Sequence, residues 1–252
     1  ICIRTTLICG FPGETEELHE ELKELVYGPS SFSSSYAMKL VKGGSIGDIY
    51  GYKLKRAPDG QVVWKDGITA RTTEFEYVGN AYPAWKAGFS NEFSYKNFRV
   101  SILFDGQWGG IVYSQTHHKM TEHGTLKHTL KYRGNPNFEV VGEGVMLDER
   151  GQYVPNNVPI SVSKYYADYW RRANVETNSF DASFLKLREA RIEYTMPSAG
   201  LNKIGIERLT LALYGRNLAM WTKDFPVYDP EVATLNNGTI VPGSEMGQLP
   251  ST

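Results

Sequence analysis

Cysteine is nearly missing from this 252-residue chain: only Cys2 and Cys9 occur, both within the first ten positions. Two thiols exclude a disulfide framework and a four-thiolate metal site within the chain. The cysteine-free remainder suits an oxidising compartment. Neither sign of charge is in excess. With 27 Lys and Arg against 28 Asp and Glu, the formal charge is −1. That gives no electrostatic reason to expect nucleic acid or an anionic membrane surface. Long apolar runs are also lacking. No stretch reaches the ~18 residues of a membrane helix, although a membrane β-barrel needs only ~9–11 alternating residues per strand. A basic leader followed by a small-residue cleavage site is not visible at the start. Aromatics are plentiful instead: 13% of the chain, with 16 Tyr, which favours β structure.

The first residues read as a β-turn-α unit. Ile3–Cys9 is strand-like and Gly10–Gly13 forms a turn. Thr15 suits a helix N-cap, and Leu18, Leu22, Leu25 and Val26 share one helical stripe. Glu16 and Glu17 match the helix dipole. "YGPSSFSSS" at 27–35 then reads as a junction.

Beyond it, strand alternation takes over. Phe89, Asn91, Phe93 and Tyr95 fall opposite Ser90, Glu92 and Ser94. Lys96 and Asn97 make a tight turn, and Phe98, Val100, Ile102 and Phe104 fall opposite Arg99, Ser101 and Asp105. Further on, Ala190, Ile192 and Tyr194 oppose Glu189, Arg191 and Glu193. Likewise Leu209, Leu211 and Leu213 oppose Thr210, Ala212 and Tyr214. "PDGQ" at 58–61 reads as a hairpin turn. The segments 109–180 and 223–252, rich in Gly, Pro and Asn, read as long loops. Short turns alternating with long loops favour a barrel over a compact soluble domain.

Two resemblances follow from quoted motifs. "RTTLICGFPGETEE" resembles the radical-SAM methylthiotransferases that modify tRNA or a ribosomal protein, over residues 1–26 only. That chemistry needs a CxxxCxxC cluster so that three thiolates reach three irons. Cys2 and Cys9 lack that spacing, so the segment is expected to be an orphan piece, joined to the remainder as a chimera. "GGSIGDIYGYK" at 43–53, "VGNAYPAWKAGFSNEFSYKNFRVSILFDGQWGGIVYS" at 78–114, "SFLKLREARIEYTMP" at 183–197 and "LTLALYGRNLAMWTKDFPVYDPEV" at 209–232 occur in order. Together they resemble the carboxy-terminal part of the SusC/RagA family of TonB-linked outer-membrane proteins, over residues 36–252.

The second resemblance implies a mainly β fold: the last antiparallel strands of a 22-stranded transmembrane barrel of Bacteroidetes type. The plug, the TonB-contacting segment and a final strand are expected to lie outside the chain, making it a fragment. It implies import of glycans or peptides with a SusD-like surface lipoprotein and TonB, in the bacterial outer membrane. Lipid would meet Phe89, Phe93, Tyr95, Phe98, Val100, Ile102, Phe104, Ala190, Ile192, Tyr194, Leu209, Leu211 and Leu213. The lumen would receive Glu92, Arg99, Asp105, Glu189, Arg191, Glu193, Thr210 and Arg216. Trp108, Tyr113, Trp221 and Tyr228 are expected at outer strand ends, as an interface girdle or as stacking surfaces for ligand.

His117, His118, His123 and His128, with Glu122 nearby, read as a solvated loop, because five-residue steps match neither a helix nor a strand face. No catalytic constellation, cofactor site or metal site is expected, and no enzyme. The alternatives are a methylthiotransferase remnant and a soluble β-rich binding module.

Overall fold

The computed structural model describes residues 24–27, 36–41, 44–134, 137–197, 202–227, 229–231, 234–236, 239–241 and 243–247. Six short strands come first: β1 (Glu24–Tyr27), β2 (Tyr36–Val41), β3 (Asp48–Gly51), β4 (Val63–Lys65), β5 (Ile68–Thr69) and β6 (Glu76–Asn80). Two long strands follow, β7 (Trp85–Tyr95) and β8 (Phe98–Trp108), then β9 (Ile111–Ser114) and helix α1 (Gln115–Glu122). Short strands β10 (Glu139–Val141), β11 (Val145–Leu147), β12 (Tyr153–Pro155) and β13 (Pro159–Ser161) lead to helix α2 (Val162–Tyr169). After β14 (Ser179–Asp181) come the long β15 (Phe184–Thr195) and β16 (Thr210–Thr222). The short β17 (Thr234–Asn236), β18 (Thr239–Val241) and β19 (Ser244–Glu245) complete the described strands.

The fold is mainly β and divides into two regions. The first is one antiparallel sheet of long strands in the order β16-β15-β8-β7, which does not close on itself among the described residues. The β7–β8 hairpin forms as the alternation predicts, with an unbroken register from Trp85↔Trp108 to Tyr95↔Phe98. Its turn holds Lys96 at φ 53°, which costs an L-residue roughly 1–2 kcal/mol. Asn97 ties the turn to the next strand: its Nδ2 donates to the Thr195 carbonyl at 2.6 Å, and its own carbonyl accepts from Thr195 N at 2.9 Å. The turn at 58–61 also forms, with Gly60 N donating to Ala57 O at 2.9 Å.

The second region is a head at the tryptophan end of the long strands. Here the expectation of long irregular loops is corrected. Residues 109–180 carry β9 to β14 and both helices, and they pack with β2 to β6 around cores of their own. One core joins Met38, Ile49, Ala81, Tyr113 and Val175; another joins Leu54, Val62, Trp64, Val140 and Ile160. Trp64, 1% exposed, stacks on Tyr165 and Tyr169 of α2 at 6.0 and 6.1 Å. Gly109 and Gly110, at φ +80° and +83°, turn the chain from β8 into this head, a conformation that side chains with a Cβ resist.

Several polar groups buried in the head are paired, whereas Gln115 Oε1 on α1 is buried without a partner among the described residues. Asp168 accepts from Thr69 N at 2.7 Å and from Thr69 Oγ1 at 2.8 Å. Asn174 Nδ2 donates to the Asp168 and Tyr169 carbonyls at 3.1 and 2.9 Å.

A second correction concerns Leu25 and Val26, expected on a helix. They lie in β1, paired antiparallel with β2 through Leu25↔Leu40 and Val26↔Lys39, because a strand ladder outweighs weak local helix preference. The rest of the expected β-turn-α unit and residues 28–35 of the junction lie outside the described residues.

Candidate functional site: an apolar outer face and a charged inner face

Directly paired residues of antiparallel strands point to the same side, so the registers sort the long sheet into two faces. One face carries Phe89, Phe93, Tyr95, Phe98, Val100, Ile102 and Phe104 from the hairpin. To these it adds Ala190, Ile192 and Tyr194 from β15 and Leu211 and Leu213 from β16. Leu209 immediately precedes β16 with the parity of Leu211, and its carbonyl accepts from Met196 N at 2.9 Å. The other face carries Glu92, Arg99, Asp105, Glu189, Arg191, Glu193, Thr210 and Arg216.

The apolar face is left uncovered: Phe89 and Phe93 are each 59% exposed and Leu213 76%. The charged face is also open toward the hairpin, with the Arg99 and Arg216 side chains 54% and 71% exposed, and is covered only near the head, where Lys186 is 3% exposed. Each large apolar side chain left in water forgoes about 1.5–3 kcal/mol of burial. Seven of the residues named on this face, Phe89, Phe93, Tyr95, Phe98, Ile192, Leu211 and Leu213, are exposed, a large forfeit against the marginal stability of an aqueous domain.

The apolar face is bounded by aromatic rows. Trp85, Trp108 and Trp221 stand at the head end, all more than half exposed. Tyr95, Phe98 and Tyr194 stand at the hairpin end, with the Phe98 and Tyr194 rings 4.7 Å apart. Ten residues separate Trp85 from Tyr95. At ~3.4 Å per residue this is roughly 34 Å of strand, or about 25 Å of height at a barrel tilt near 40°.

The inner face is a network of ions. Near the hairpin turn Arg99 meets Glu92 at 3.3 Å and Glu193 at 3.8 Å, and Arg191 also pairs with Glu193. Arg216 meets Glu189 at 3.0 Å. Toward the head, Lys186 donates to both Asp229 oxygens at 2.7 Å and to Glu231 at 2.6 Å. Arg188 bridges Asp105 and Glu231, each at 2.6 Å. The segment 229–231 is thereby fastened to the inner wall. Burial alone would raise the Glu231 carboxyl, but hydrogen bonds from Arg188 and Lys186 outweigh it and hold the group below its usual range.

Arg188 is also an extra residue against β8. The register slips between Leu187 and Glu189 against both neighbours, a bulge that keeps Leu185 and Leu187 outward with Lys186 inward. The signal lies in the sequence: two consecutive charged residues, Arg188 and Glu189, interrupt the alternation. In β16, Asn217 at φ 49° lies opposite the same break.

Two expectations are corrected. Tyr113 is not at an exposed strand end. It is fully buried in the core with Met38, Ile49, Ala81 and Val175, because β9 continues into the head instead of ending at a rim. The histidines do not sit in a solvated loop. His117 and His118 are buried on α1, whose N-cap Ser114 accepts from His117 N at 2.9 Å. The His117 ring packs edge-on against Phe180 at 4.7 Å and stacks near His128 at 5.3 Å. Burial pushes His117 down to about 4 and lowers His118 and His128 as well. Among the described residues no three His, Cys, Asp or Glu gather as metal ligands. Tyr228 lies outside the described residues, and no described helix is long and apolar enough to cross a membrane, which says nothing of a β-barrel.

No family model matches the chain. TonB-dependent receptor P3 of Formosa agariphila is 24% identical over 83% of this chain and 21% of its own length. TonB-dependent receptor P26 of the same organism is 28% identical over 74% of this chain and 17% of its length. Two solved structures are similar. One is the RagAB peptide importer in its closed-closed state, with 17% identity and a TM-score of 0.48 over 90% of this chain and 27% of that one. The other is the RagAB peptide transporter, with 17% identity and a TM-score of 0.43 over 82% of this chain and 26% of that one. Over most of its residues the chain is thus similar to TonB-dependent receptors, and it spans about a fifth of the length of the curated relatives it matches.

Proposed function

We propose that residues 36–252 supply the last strands of a TonB-dependent outer-membrane importer of the SusC/RagA kind. The observation that carries this reading is the uncovered apolar face of the long sheet, set back to back with a face of paired charges. In that sheet, Phe89, Phe93, Val100, Ile102, Leu211 and Leu213 meet lipid, while Arg99, Glu189, Arg191, Glu193 and Arg216 face the lumen. An arginine turned to the bilayer midplane would cost about 2–4 kcal/mol. The inner face removes every one of the network arginines from that cost.

The cargo is a glycan or a peptide, received with a SusD-like lipoprotein and driven through TonB by parts of the protein beyond this chain. The location is the bacterial outer membrane, and the role is transport and not catalysis. Residues 1–26 add no activity, because the chain holds two cysteines where an iron–sulfur centre needs three. They are a separate piece joined at 27–35, which long sequencing reads across the codons for 24–35 test directly.

Cysteine scanning tests the central reading, with Cys2 and Cys9 replaced by Ser. Single cysteines at 99 to 104 are placed in the membrane-inserted protein and treated with a lipid-soluble and a water-soluble maleimide. The lipid-soluble reagent is expected at 100, 102 and 104 and the water-soluble one at 99, 101 and 103. Uniform labelling by the water-soluble reagent would sink the assignment.

A further inference from the structure

The outer face is not smooth. Near its head end lies a notch of about 440 Å³, within the range of small-molecule sites. Its floor is the cross-strand pair Ala87 and Gly106, the smallest pair in a row of large side chains. Trp85 and Trp108 wall it toward the head, Phe89 and Phe104 wall it toward the hairpin, and Trp221 closes a third side. Gly106 has its own reason to be glycine: a Cβ there would lie 2.8 Å from the Phe184 carbonyl. Ala87 already carries a Cβ on this face, so a larger side chain there would fill the floor.

A cation stands at the mouth. Lys223 Nζ lies 5.3 Å from the centre of the Trp108 ring and 2.6 Å from Asp181 Oδ2. An ammonium carries three donors, and Asp181 takes one. The other two have no partner among the described residues, and the Lys223 side chain is 54% exposed. Tryptophans collect at the headgroup level of a bilayer, which is the depth at which a lipid phosphate sits.

We propose that this notch seats one acyl chain of a phosphate-bearing lipid from the surrounding leaflet, with the phosphate accepting the free Lys223 donors. The proposal rests on the outward-facing reading above and adds a specific lipid site to it. A flexible acyl chain suits an apolar recess walled by two aromatic pairs, and charge complementarity at the mouth selects a phosphate.

The test uses the full chain in phosphatidylcholine vesicles, reading tryptophan fluorescence as brominated lipid is added. One arm adds dibrominated phosphatidic acid, the other dibrominated diacylglycerol, which lacks phosphate. Phosphatidic acid is expected to give a saturable quenching component with at least tenfold higher apparent affinity, unchanged by millimolar inorganic phosphate. Ala87→Phe is expected to abolish that component by filling the floor, and Lys223→Gln to abolish the preference while keeping quenching. Circular dichroism confirms that each variant keeps its strands, and Lys223→Gln reads the site even if Ala87→Phe misfolds. Equal quenching by both lipids, or a saturable component that survives in a folded Ala87→Phe, overturns the notch and leaves the lipid-facing sheet standing. No quenching by any brominated lipid overturns the lipid-facing sheet and the notch together.

Discussion

The long sheet and the head bury opposite chemistry. In the head, Trp64, Ile49 and Tyr113 are sealed and the buried polar groups Asp168, Asn174 and Asn178 are each hydrogen-bonded, as in a water-soluble domain. In the sheet, Phe93 and Leu213 face outward and Lys186 and Arg188 sit inside a carboxylate cage. Two regions of one chain therefore cover opposite chemistry. What distinguishes the regions is not composition but which side of each strand is covered, and that shows in register and exposure together.

The sharpest way to break the contrast is to remove the cation at its centre. Lys186→Met leaves Asp229 and Glu231 short of a partner in a covered position, and about 3–5 kcal/mol of stability should be lost, read by urea unfolding of the reconstituted protein. In the head, Trp64→Ala should cost a similar ~3–5 kcal/mol by emptying a packed core, whereas Phe93→Ala on the outer face should leave the head's unfolding transition unmoved. Next comes a paired substitution. Val100→Arg should destabilise the inserted sheet by about 2–4 kcal/mol, and Ser101→Arg, one residue away and facing inward, by under ~1 kcal/mol. Equal effects from the two arginines would erase the distinction between the faces.

Acid should weaken the head. His117 is held near 4 in the folded protein against 6.5 for the free group. The unfolded chain therefore binds its proton first as pH falls. The stability from keeping His117 neutral is complete above about 6.5 and declines until about 4, by at most roughly 3 kcal/mol. Melting temperatures across that window should fall, and His117→Gln should flatten the decline. Smallest is Ser114→Ala, which removes the cap of α1 and should cost about 1 kcal/mol, measured by thermal melting.

The sheet was legible because period-two alternation over eleven or more residues is a long, redundant signal. Phe98 to Phe104 and Ala190 to Tyr194 fall on the faces the pattern assigns. The head was not legible, for physical reasons. Its strands are mostly of two to six residues, too short for periodicity, and its cores join residues as distant as Met38 and Val175. Tyr113 ends an alternating run, so it reads as a rim aromatic. Only the fold of the head brings Met38, Ile49 and Ala81 over it. His117 and His118 looked solvated because imidazoles carry no hydrophobic signal. Their burial depends on Phe180, Asn178 and Trp170, more than fifty residues away.

The extra residue at Arg188 acts as a parity switch for its strand. Were it deleted, Phe184 to Leu187 would exchange sides: Lys186 would be thrust onto the apolar face, and Leu185 and Leu187 would be driven into the ionic cage. A single codon thus keeps the greasy and the ionic side chains on separate faces over the last stretch of strand before the head. It follows that this strand tolerates substitution far better than it tolerates a change in length.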